Sequence, residues 1–428
     1  MASAPRPEGR PPIARHGVLS TRHPLLTILA IFGVVVAVLS VSGLGIGAFA
    51  VWNAAQSVSD NAVVLDEDEA IPPSLGAIEG GVNVLLVGTD SCEGANAALS
   101  GACQAGDTDG ERNDVTMLVH ISDEPRRVTV VSFPRDMVVP IPACAREDGE
   151  GEYSAMSAQM LNVSYMYGGL ACTVKTVEEL TGEDIQFAAA VRWTGVINMS
   201  DAIGGVDVCV AGDISDSHTG LTLAAGEHTL QGVEALQFLR IRHGIGDGSD
   251  LGRISNQQQF MSSMVRKLQS DDVLGNPGAL FSLATTAISQ VSQGQLVLSQ
   301  SLANPTLMVQ IAMAVRDVPY EDIVFVQYPT EYGAGASRVL PVTYAADELF
   351  AALRDNVPIS LTGEASQGYG VEVTGEAVAP TATPSPTASG SPSASPSVTA
   401  PATEERVELP SSIAGQTAAQ VTCTVPEQ

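Results

Sequence analysis

An uncharged, largely apolar run near the N-terminus places the strongest restriction on what this chain can form. No charged residue occurs from Pro24 to Ser59, and Leu25 to Val51 is almost wholly apolar. About 20 such residues span the hydrocarbon core of a bilayer, where a helix satisfies its own backbone hydrogen bonds. The run therefore predicts a transmembrane helix over residues 24–52.

The flanks of this run bear on the alternative interpretation and on orientation. A cleaved signal peptide is the alternative, but its apolar core is only about 7–15 residues long. Trp52 follows the run at a position suited to a membrane interface. Arginines precede the run and none follows closely, which predicts a cytoplasmic tail at 1–23 and a single-pass protein of the cell membrane whose remaining chain is extracytoplasmic.

The chain is acidic and has an even number of cysteines. Its net charge of -28 disfavours nucleic acid as a partner, because that binding needs clustered Lys and Arg. Cysteines without a Cys-x-x-Cys pair, in a chain held outside the cytoplasm, favour disulfides over a zinc site. We expect Cys92 to pair with Cys103, and Cys423 to fasten the C-terminal tail to the domain, with Cys209 as its candidate partner.

Composition divides the rest of the chain into four parts. Residues 53–80 form a polar, acidic spacer, which predicts a solvated stalk. Residues 366–405 are rich in Pro, Ser and Thr and cannot bury enough apolar surface to fold, so a disordered linker is predicted there. A short C-terminal tail follows at 406–428. One folded domain is expected between stalk and linker, at 81–365.

Short apolar runs alternate with helical patterns inside this domain. The predicted strands are 83–88, 115–121, 128–133, 206–210 and 323–328, and a tight turn joins the second to the third. The predicted helices are 157–167, 172–180, 231–239, one that begins at Ser249 or Asp250, and 345–353. Continuously apolar strands interleaved with helices predict an α/β fold, with a central mixed sheet flanked by helices on both faces.

Aspartates lie at the ends of the first three strands. Asp90 follows the first strand, Asp114 precedes the second and Asp136 follows the third. Because the second and third strands are expected to be antiparallel, Asp114 and Asp136 should lie near the same edge of the sheet. Carboxylates without neighbouring lysines suit a magnesium ion. Aspartates in loops are also common turn formers, so the pattern alone permits either interpretation.

Arginines accompany these aspartates. They are Arg112, Arg135, Arg240, Arg242 and Arg253. The guanidinium fork matches phosphate oxygens, and a pair two residues apart points to one side if its segment is extended. A surface ion pair could explain each arginine singly, whereas their grouping beside aspartates predicts an anion site. The chain has no G-x-S-x-G, H-E-x-x-H or Walker motif, which disfavours serine hydrolase, zinc protease and kinase activities.

The order of these motifs resembles the LytR-CpsA-Psr family of bacterial cell-envelope proteins, in particular its actinobacterial members. The matching segments include NVLLVGTD, RNDVTMLVHIS, VTVVSFPRDMVV, LQFLRIRHG and DLGRISNQQQF, within residues 81–270. The resemblance implies a magnesium-dependent phosphotransferase. Such an enzyme moves a glycopolymer from a polyprenyl-diphosphate carrier to peptidoglycan and forms a phosphodiester bond. Two alternatives stay open: a polyprenyl-diphosphate phosphatase, and a non-catalytic protein that binds or regulates lipid-linked polymer.

The resemblance also implies roles for individual residues. It implies Asp90 and Asp114 as ligands of Mg²⁺ or Mn²⁺. The implied catalytic residues are Arg112, Asp114, Arg135 and Asp136. The implied diphosphate-binding residues are Arg135, Arg240, Arg242, Asp250, Arg253 and Gln257. Ser255 and Asn256 stand where many members have Gln-Arg, so either Gln257 or Ser255 is expected at the position of the family's diphosphate-contacting glutamine.

Overall fold

The secondary structure follows the predicted alternation of strands and helices. A computed structural model describes residues 56, 58–59, 61–65, 74–75, 81–106, 110–270, 273, 276–333, 338–366, 369–377 and 406–427. The strands are β1 (Val82–Thr89), β2 (Asn113–Ile121), β3 (Val128–Phe133), β4 (Val138–Ile141), β5 (Cys144–Ala145), β6 (Glu152–Tyr153), β7 (Met156–Met160), β8 (Phe187–Arg192), β9 (Val206–Val210), β10 (Ile214–Asp216), β11 (Leu221–Leu223), β12 (Gly226–Leu230), β13 (Leu296–Leu298), β14 (Ile323–Gln327), β15 (Thr330–Tyr332), β16 (Val339–Pro341), β17 (Ile359–Leu361), β18 (Val371–Glu376), β19 (Val407–Leu409), β20 (Gly415–Thr417) and β21 (Gln420–Thr424). The helices are α1 (Gly101–Gln104), α2 (Ser164–Thr181), α3 (Trp193–Ala202), α4 (Gly232–Arg240), α5 (Asp250–Gln269), α6 (Pro277–Ser292), α7 (Pro305–Arg316) and α8 (Thr343–Arg354).

The central sheet is mixed, as the sequence predicted. Its strand order is β13-β8-β1-β2-β3-β14-β20. Strands β1 and β8 are parallel, as are β3 and β14, and the other neighbours are antiparallel. The antiparallel hairpin of β2 and β3 is confirmed, and it brings the start of β2 beside the end of β3.

Helices cover both faces of this sheet. Along β1, Leu85 belongs to a core that includes Leu349 of α8 and residues of α2, whereas Val84 belongs to a core that includes Leu307 of α7. Met261 of α5 packs against the second core. Alternate residues of a strand point to opposite faces, and burial of each such side chain contributes about 1.5–3 kcal/mol. The predicted arrangement of helix, sheet and helix is therefore confirmed.

The C-terminal segment is part of the fold. Strand β20 forms one edge of the central sheet, while β21 lies inside a second sheet of order β12-β9-β21-β18. The disulfide Cys209–Cys423 joins β9 to β21 at positions in register, with Cα atoms 4.5 Å apart. This pair and Cys92–Cys103 confirm the expected disulfides, and Cys144–Cys172 is a third. The folded part thus extends beyond the expected boundary at residue 365.

One predicted helix begins too early. Residues Met156–Met160 form β7, which pairs with β4, and α2 begins only at Ser164. The apolar spacing of this stretch suits either structure, so pairing with β4 decides the outcome. The predicted stop at Gly182 is confirmed, where φ is 71° in the left-handed region that glycine adopts at low cost.

The predicted transmembrane helix at 24–52 lies outside the described residues, as does the part of the predicted linker at 378–405. The beginning of that linker, which was predicted from residue 366, is wrong, because Val371–Glu376 form β18 and pair with β21. Within the part of the chain that the structure describes, no helix is long and apolar enough to cross a membrane. Part of the predicted stalk is buried. Val58 packs in a cluster with Leu298, and Leu75 in the core that includes Leu307. All the described residues belong to one compact unit, 55–428.

Acidification is expected to destabilise the domain through His120. Burial lowers the pKa of this imidazole to about 4, and its Nδ1 lies 2.9 Å from Asn83 Oδ1. Because the unfolded chain binds the proton near pH 6.5 and the folded chain does not, stability is full above pH 6.5 and falls as the pH drops towards 4. The loss is about 3 kcal/mol at about 1.4 kcal/mol per pKa unit.

Urea unfolding at several pH values measures this effect. The variant His120→Gln should lose less stability than the wild type between pH 7 and pH 4.5. His228→Gln is the matched control, because it makes the same replacement at a partly exposed position of β12. An identical pH dependence in His120→Gln and the wild type would contradict the assignment.

Candidate diphosphate site at the mouth of an apolar groove

The ends of β1 and β2 position the first carboxylate of the site. The backbone N–H of Asp90 donates to the carbonyl of Arg112 at 3.1 Å, and the N–H of Arg112 donates to Asp90 Oδ1 at 2.7 Å. These two bonds hold the Asp90 side chain where β1 ends. Arg112 therefore orients Asp90 through its backbone as well as contributing charge.

Asp90 lies close enough to Asp114 for the two carboxylates to repel each other. Burial raises the pKa of Asp90 to about 7, and Asp114 acts in the same direction. Among the described residues, no group of three or more His, Cys, Asp and Glu side chains could hold a metal ion. Magnesium, however, commonly binds one or two carboxylates together with waters and substrate phosphates. Two carboxylates that repel each other fit that mode of binding.

Arg135 connects three carboxylates at the end of the β2–β3 hairpin. Its Nη1 donates to Asp114 Oδ1 at 2.6 Å, and its Nε lies 3.3 Å from Asp136 and 3.4 Å from Asp250. Burial opposes the charge of Asp114, but Arg135 and Arg253 outweigh it and hold the pKa of Asp114 below its ordinary value. The expected meeting of Asp114 and Asp136 at one edge is thus explained by Arg135, which contacts both.

The two carboxylates differ in their readiness to accept a proton. Burial and the nearby Asp250 raise the pKa of Asp136, although Arg135 and Arg242 oppose the rise. Asp136 is therefore the better proton acceptor near neutral pH, whereas Asp114 stays ionised.

Arg253 lies in the first turn of α5 and is almost fully buried. Its Nη2 lies 2.6 Å from Asp250 Oδ1 and donates to the carbonyl of Asp114 at 3.1 Å. Its Nε has no hydrogen-bond partner within the described residues. Burial lowers the pKa of Arg253, and Arg135 adds to this effect. A buried donor without a partner is costly, so an anion at this place would stabilise the site.

Arg240 and Arg242 would point to one side if their segment were extended, but a helix ends between them. Arg240 is the last residue of α4, and its guanidinium lies 4.1 Å from the ring centroid of Trp193. Its Nη1 donates to the carbonyl of Leu99 at 3.2 Å. Arg242 lies near Asp136 and contributes to a different cavity. The end of the helix separates the two side chains.

Neither of these arginines forms an ion pair within the described residues, and the Nε of Arg242 is buried without a hydrogen-bond partner. Burial lowers the pKa of Arg240, with Arg253 and Arg135 acting in the same direction against Asp114 and Asp90. The protein thus holds two partly buried cations without a carboxylate partner. This is the strongest electrostatic feature that favours a bound anion.

An apolar groove of about 410 Å³ begins beside Arg240 and Arg253. It runs between the sheet and helices α3, α4 and α5, and the charged or polar residues Asp114, Arg240, Arg253 and Gln257 line it. Gln257, Met261, Met264 and Leu268 follow one another along α5. At 1.5 Å per residue they extend over about 16 Å. The groove suits a long hydrocarbon with an anionic head at the arginines.

The structure distinguishes between the two candidates for the glutamine position. Gln257 lines the groove, and its Nε2 donates to the carbonyl of Leu239 at 2.8 Å, next to Arg240. Ser255 is fully buried, and its hydroxyl accepts from Gln327 Nε2 at 2.7 Å. Of the two, Gln257 lines the groove, and its hydrogen bond to Leu239 also braces the end of α4.

Sequence reasoning missed several residues that shape the site. Trp193 forms part of the groove wall beneath Arg240, and Leu99 supplies a carbonyl from the loop closed by Cys92–Cys103. Arg192 Nη2 pairs with Glu111 at 2.7 Å and ties the end of β8 to the segment before β2. No motif spacing indicates these contacts, because each joins distant parts of the chain.

Fold and site together define an α/β protein with a cluster of arginines and aspartates at the mouth of an apolar groove. A model of the LytR_cpsA_psr family matches residues 49–349. The chain therefore belongs to the LytR-CpsA-Psr family.

Several known proteins resemble this chain. The cell wall biosynthesis protein LcpA of Corynebacterium glutamicum is 29% identical over 299 residues, which are 65% of this chain and 57% of LcpA. The polyisoprenyl-teichoic acid–peptidoglycan teichoic acid transferase TagU of Enterococcus faecalis is 26% identical over 246 residues, which are 58% of this chain and 72% of TagU. The solved LytR-Csp2A-Psr enzyme from Actinomyces oris is 24% identical with a TM-score of 0.46, covering 64% of this chain and 90% of that one. The chain thus spans little more than half of LcpA.

Proposed function

We propose that this protein transfers a glycopolymer from a polyprenyl-diphosphate carrier to peptidoglycan and forms a phosphodiester bond. The proposal rests on one observation: Arg240 and Arg253 lie where the apolar groove starts, and both line it. A diphosphate needs the arginines, and a prenyl chain needs the groove. The name of the related TagU describes a transfer of this kind.

The arginines act on the diphosphate. Arg240 and Arg253 at the groove mouth hold its oxygens, and Arg135 keeps Asp114 ionised and in place. Donors fixed in a site with little water stabilise the charge that develops during phosphoryl transfer. Asp90 and Asp114 would hold Mg²⁺ or Mn²⁺, which when bound supplies further charge neutralisation for the phosphates. Arg112 keeps Asp90 directed into the site.

Asp136 accepts the proton of the attacking hydroxyl. Its raised pKa favours this role over Asp114, whose carboxylate is committed to Arg135. Arg242 and Asp250 surround Asp136 on the side away from the groove. The reaction then needs the lipid-linked glycopolymer on one side of the arginines and the accepting sugar hydroxyl on the other.

Reconstitution with a labelled lipid-linked glycopolymer and peptidoglycan tests the function. Transfer predicts label in the insoluble wall fraction, released as a phosphodiester-linked product, and prenyl monophosphate as the second product. A diphosphatase would release the polymer phosphate equally with and without peptidoglycan, and a binding protein would give no product. Either of the last two outcomes would reject the proposed transfer.

A membrane anchor accompanies this function in the proposal. The uncharged run from Pro24 to Ser59 would hold the domain at the outer side of the membrane that carries the lipid donor. Protease accessibility in intact spheroplasts tests the orientation. Digestion of the folded domain from outside is expected, and full protection of it would contradict this topology.

Filling the groove is expected to discriminate between donors by prenyl length. Met264 lies two turns beyond Gln257 on α5 and lines the groove. Met264→Trp should raise KM at least about tenfold for a donor with a long prenyl chain, because each lost CH₂ contact is worth about 0.8 kcal/mol. A donor with a chain short enough to end before Met264 should keep its KM. Steady-state kinetics with both donors measures the difference.

The matched control is Met313→Trp, which adds the same bulk to an exposed position of α7. It should leave KM unchanged for both donors. Equal loss of the long and the short donor in Met264→Trp would place the prenyl chain elsewhere.

A further inference from the structure

A second cavity, of about 540 Å³, lies beside the same charged cluster. Its lining includes Asp136, Arg242, Asp247, Asp250, Tyr332 and Val339. It shares no lining residue with the apolar groove. Its volume lies within the range of about 300–1,000 Å³ that is usual for ligand sites.

Ion pairs form the boundary between the two cavities. Arg253 lines the groove, and its partner Asp250, 2.6 Å away, lines the second cavity. Arg135 spans the same boundary, because it contacts Asp114 of the groove and Asp136 of the cavity. A diphosphate held by the groove arginines would therefore present its far side to the second cavity.

The geometry of phosphoryl transfer determines the side from which the acceptor must approach the diphosphate. The attacking and leaving oxygens stand roughly in line on opposite sides of the phosphorus. If the prenyl phosphate leaves towards the apolar groove, the attacking oxygen must come from the opposite side. The second cavity lies across the ion pairs from the groove, and Asp136 is one of its lining residues.

The lining of the cavity suits a sugar. Both carboxylate oxygens of the buried Asp250 lie outside hydrogen-bond geometry despite its ion pairs, as does the buried Nε of Arg242. Asp136 and Asp247 add acceptors for hydroxyl groups. Tyr332 is 59% exposed at the end of β15, opposite Val339 of β16, which in turn bridges to Met137. An exposed ring beside convergent polar groups offers its negative face to the C–H groups of a sugar.

We propose that this cavity is the subsite for the acceptor sugar and that Tyr332 is its stacking platform. This inference rests on the proposed function. The acceptor hydroxyl oxygen bonds to the phosphorus that carries the glycopolymer, the bond from that phosphorus to the bridging oxygen breaks, and prenyl monophosphate leaves with the electron pair. The hydroxyl proton passes to Asp136 and from there to solvent.

Binding of a soluble peptidoglycan disaccharide, N-acetylglucosaminyl-N-acetylmuramic acid, tests the subsite directly. The full-length protein in detergent micelles should bind it saturably without any lipid donor, as measured by calorimetry. Tyr332→Ala should raise the Kd for the disaccharide at least about tenfold, because this factor corresponds to the free energy of one good aromatic contact. Tyr332→Phe, which retains the ring, should restore binding. Tyr344→Ala removes an equally exposed tyrosine outside the cavity and should match the wild type.

Kinetics separate a failure of the subsite from a failure of the proposed function. Tyr332→Ala should raise KM for the peptidoglycan acceptor about tenfold and leave KM for the lipid donor unchanged. No saturable sugar binding by the wild type, or equal Kd values in the wild type and Tyr332→Ala, would overturn the subsite. If transfer proceeds with an unchanged acceptor KM in Tyr332→Ala, the subsite fails and the function stands. If the sugar binds as described but the wild type transfers no polymer, the function fails and the sugar-binding subsite stands.

Discussion

Replacement of Arg240 by alanine is expected to reduce glycopolymer transfer at least about 100-fold, because removal of one fixed donor from a charge-stabilising site costs this much. Arg240 lies at the groove mouth, against the ring of Trp193, and forms no ion pair within the described part of the chain. Its loss leaves no internal carboxylate uncompensated, so the fold should persist. Transfer rates and melting temperatures measured on the same preparations give the comparison.

Two further variants sharpen the interpretation. Arg240→Lys keeps a positive charge but loses the planar fork, so its activity should lie between that of alanine and that of arginine. Arg316→Ala removes a half-exposed arginine of α7, far along the chain from the site, and should transfer at the wild-type rate. Full transfer by a folded Arg240→Ala protein would remove this residue from the proposed site.

Replacement of Asp114 by asparagine should abolish transfer, with a loss of about 1,000-fold, and should also weaken Mn²⁺ binding. Asp114 pairs with Arg135 at 2.6 Å and is the neighbour that raises the pKa of Asp90. Neutralising it removes one of the two carboxylates available to a divalent ion and leaves Arg135 with weaker partners. Electron paramagnetic resonance of Mn²⁺, with and without a soluble prenyl diphosphate, measures binding independently of turnover.

Asp136→Asn is the matched comparison for this experiment, since the two aspartates contact the same arginine. It should retain Mn²⁺ binding while transfer falls through loss of the proton acceptor. The two variants thereby separate ion binding from proton transfer. Unchanged Mn²⁺ affinity in Asp114→Asn would show that the carboxylates of β1 and β2 do not hold the ion.

The strands and several helices were predictable because their signals are local. The run Val128–Phe133 is rich in apolar and β-branched residues and bounded by turn residues, so its strand is found at the predicted residues. The end of the helix at Gly182 was predictable, because the left-handed backbone found there is unfavourable for residues other than glycine. The helix prediction failed at Met156–Met160, because this segment pairs with β4. Such pairing is a tertiary contact, which the local sequence does not show.

The candidate site was predictable in composition but not in geometry. Motif order indicated that Arg240 and Arg242 belong to the site, yet their two-residue spacing suggested one shared direction. The end of α4 instead places Arg240 at the groove and Arg242 at the second cavity. Spacing predicts direction only when the secondary structure is known, and here the helix ends between the two arginines.

By itself, the sequence determined the α/β class, the acidic exterior, and which Asp and Arg residues belong together. These properties follow from composition, periodicity and motif order, which are encoded along the chain. Only the tertiary structure decided that the C-terminal strands complete both sheets and that two cavities meet across Arg135 and Asp250. The reason is physical: a cavity is bounded by side chains from many distant segments, so its shape depends on how the segments pack.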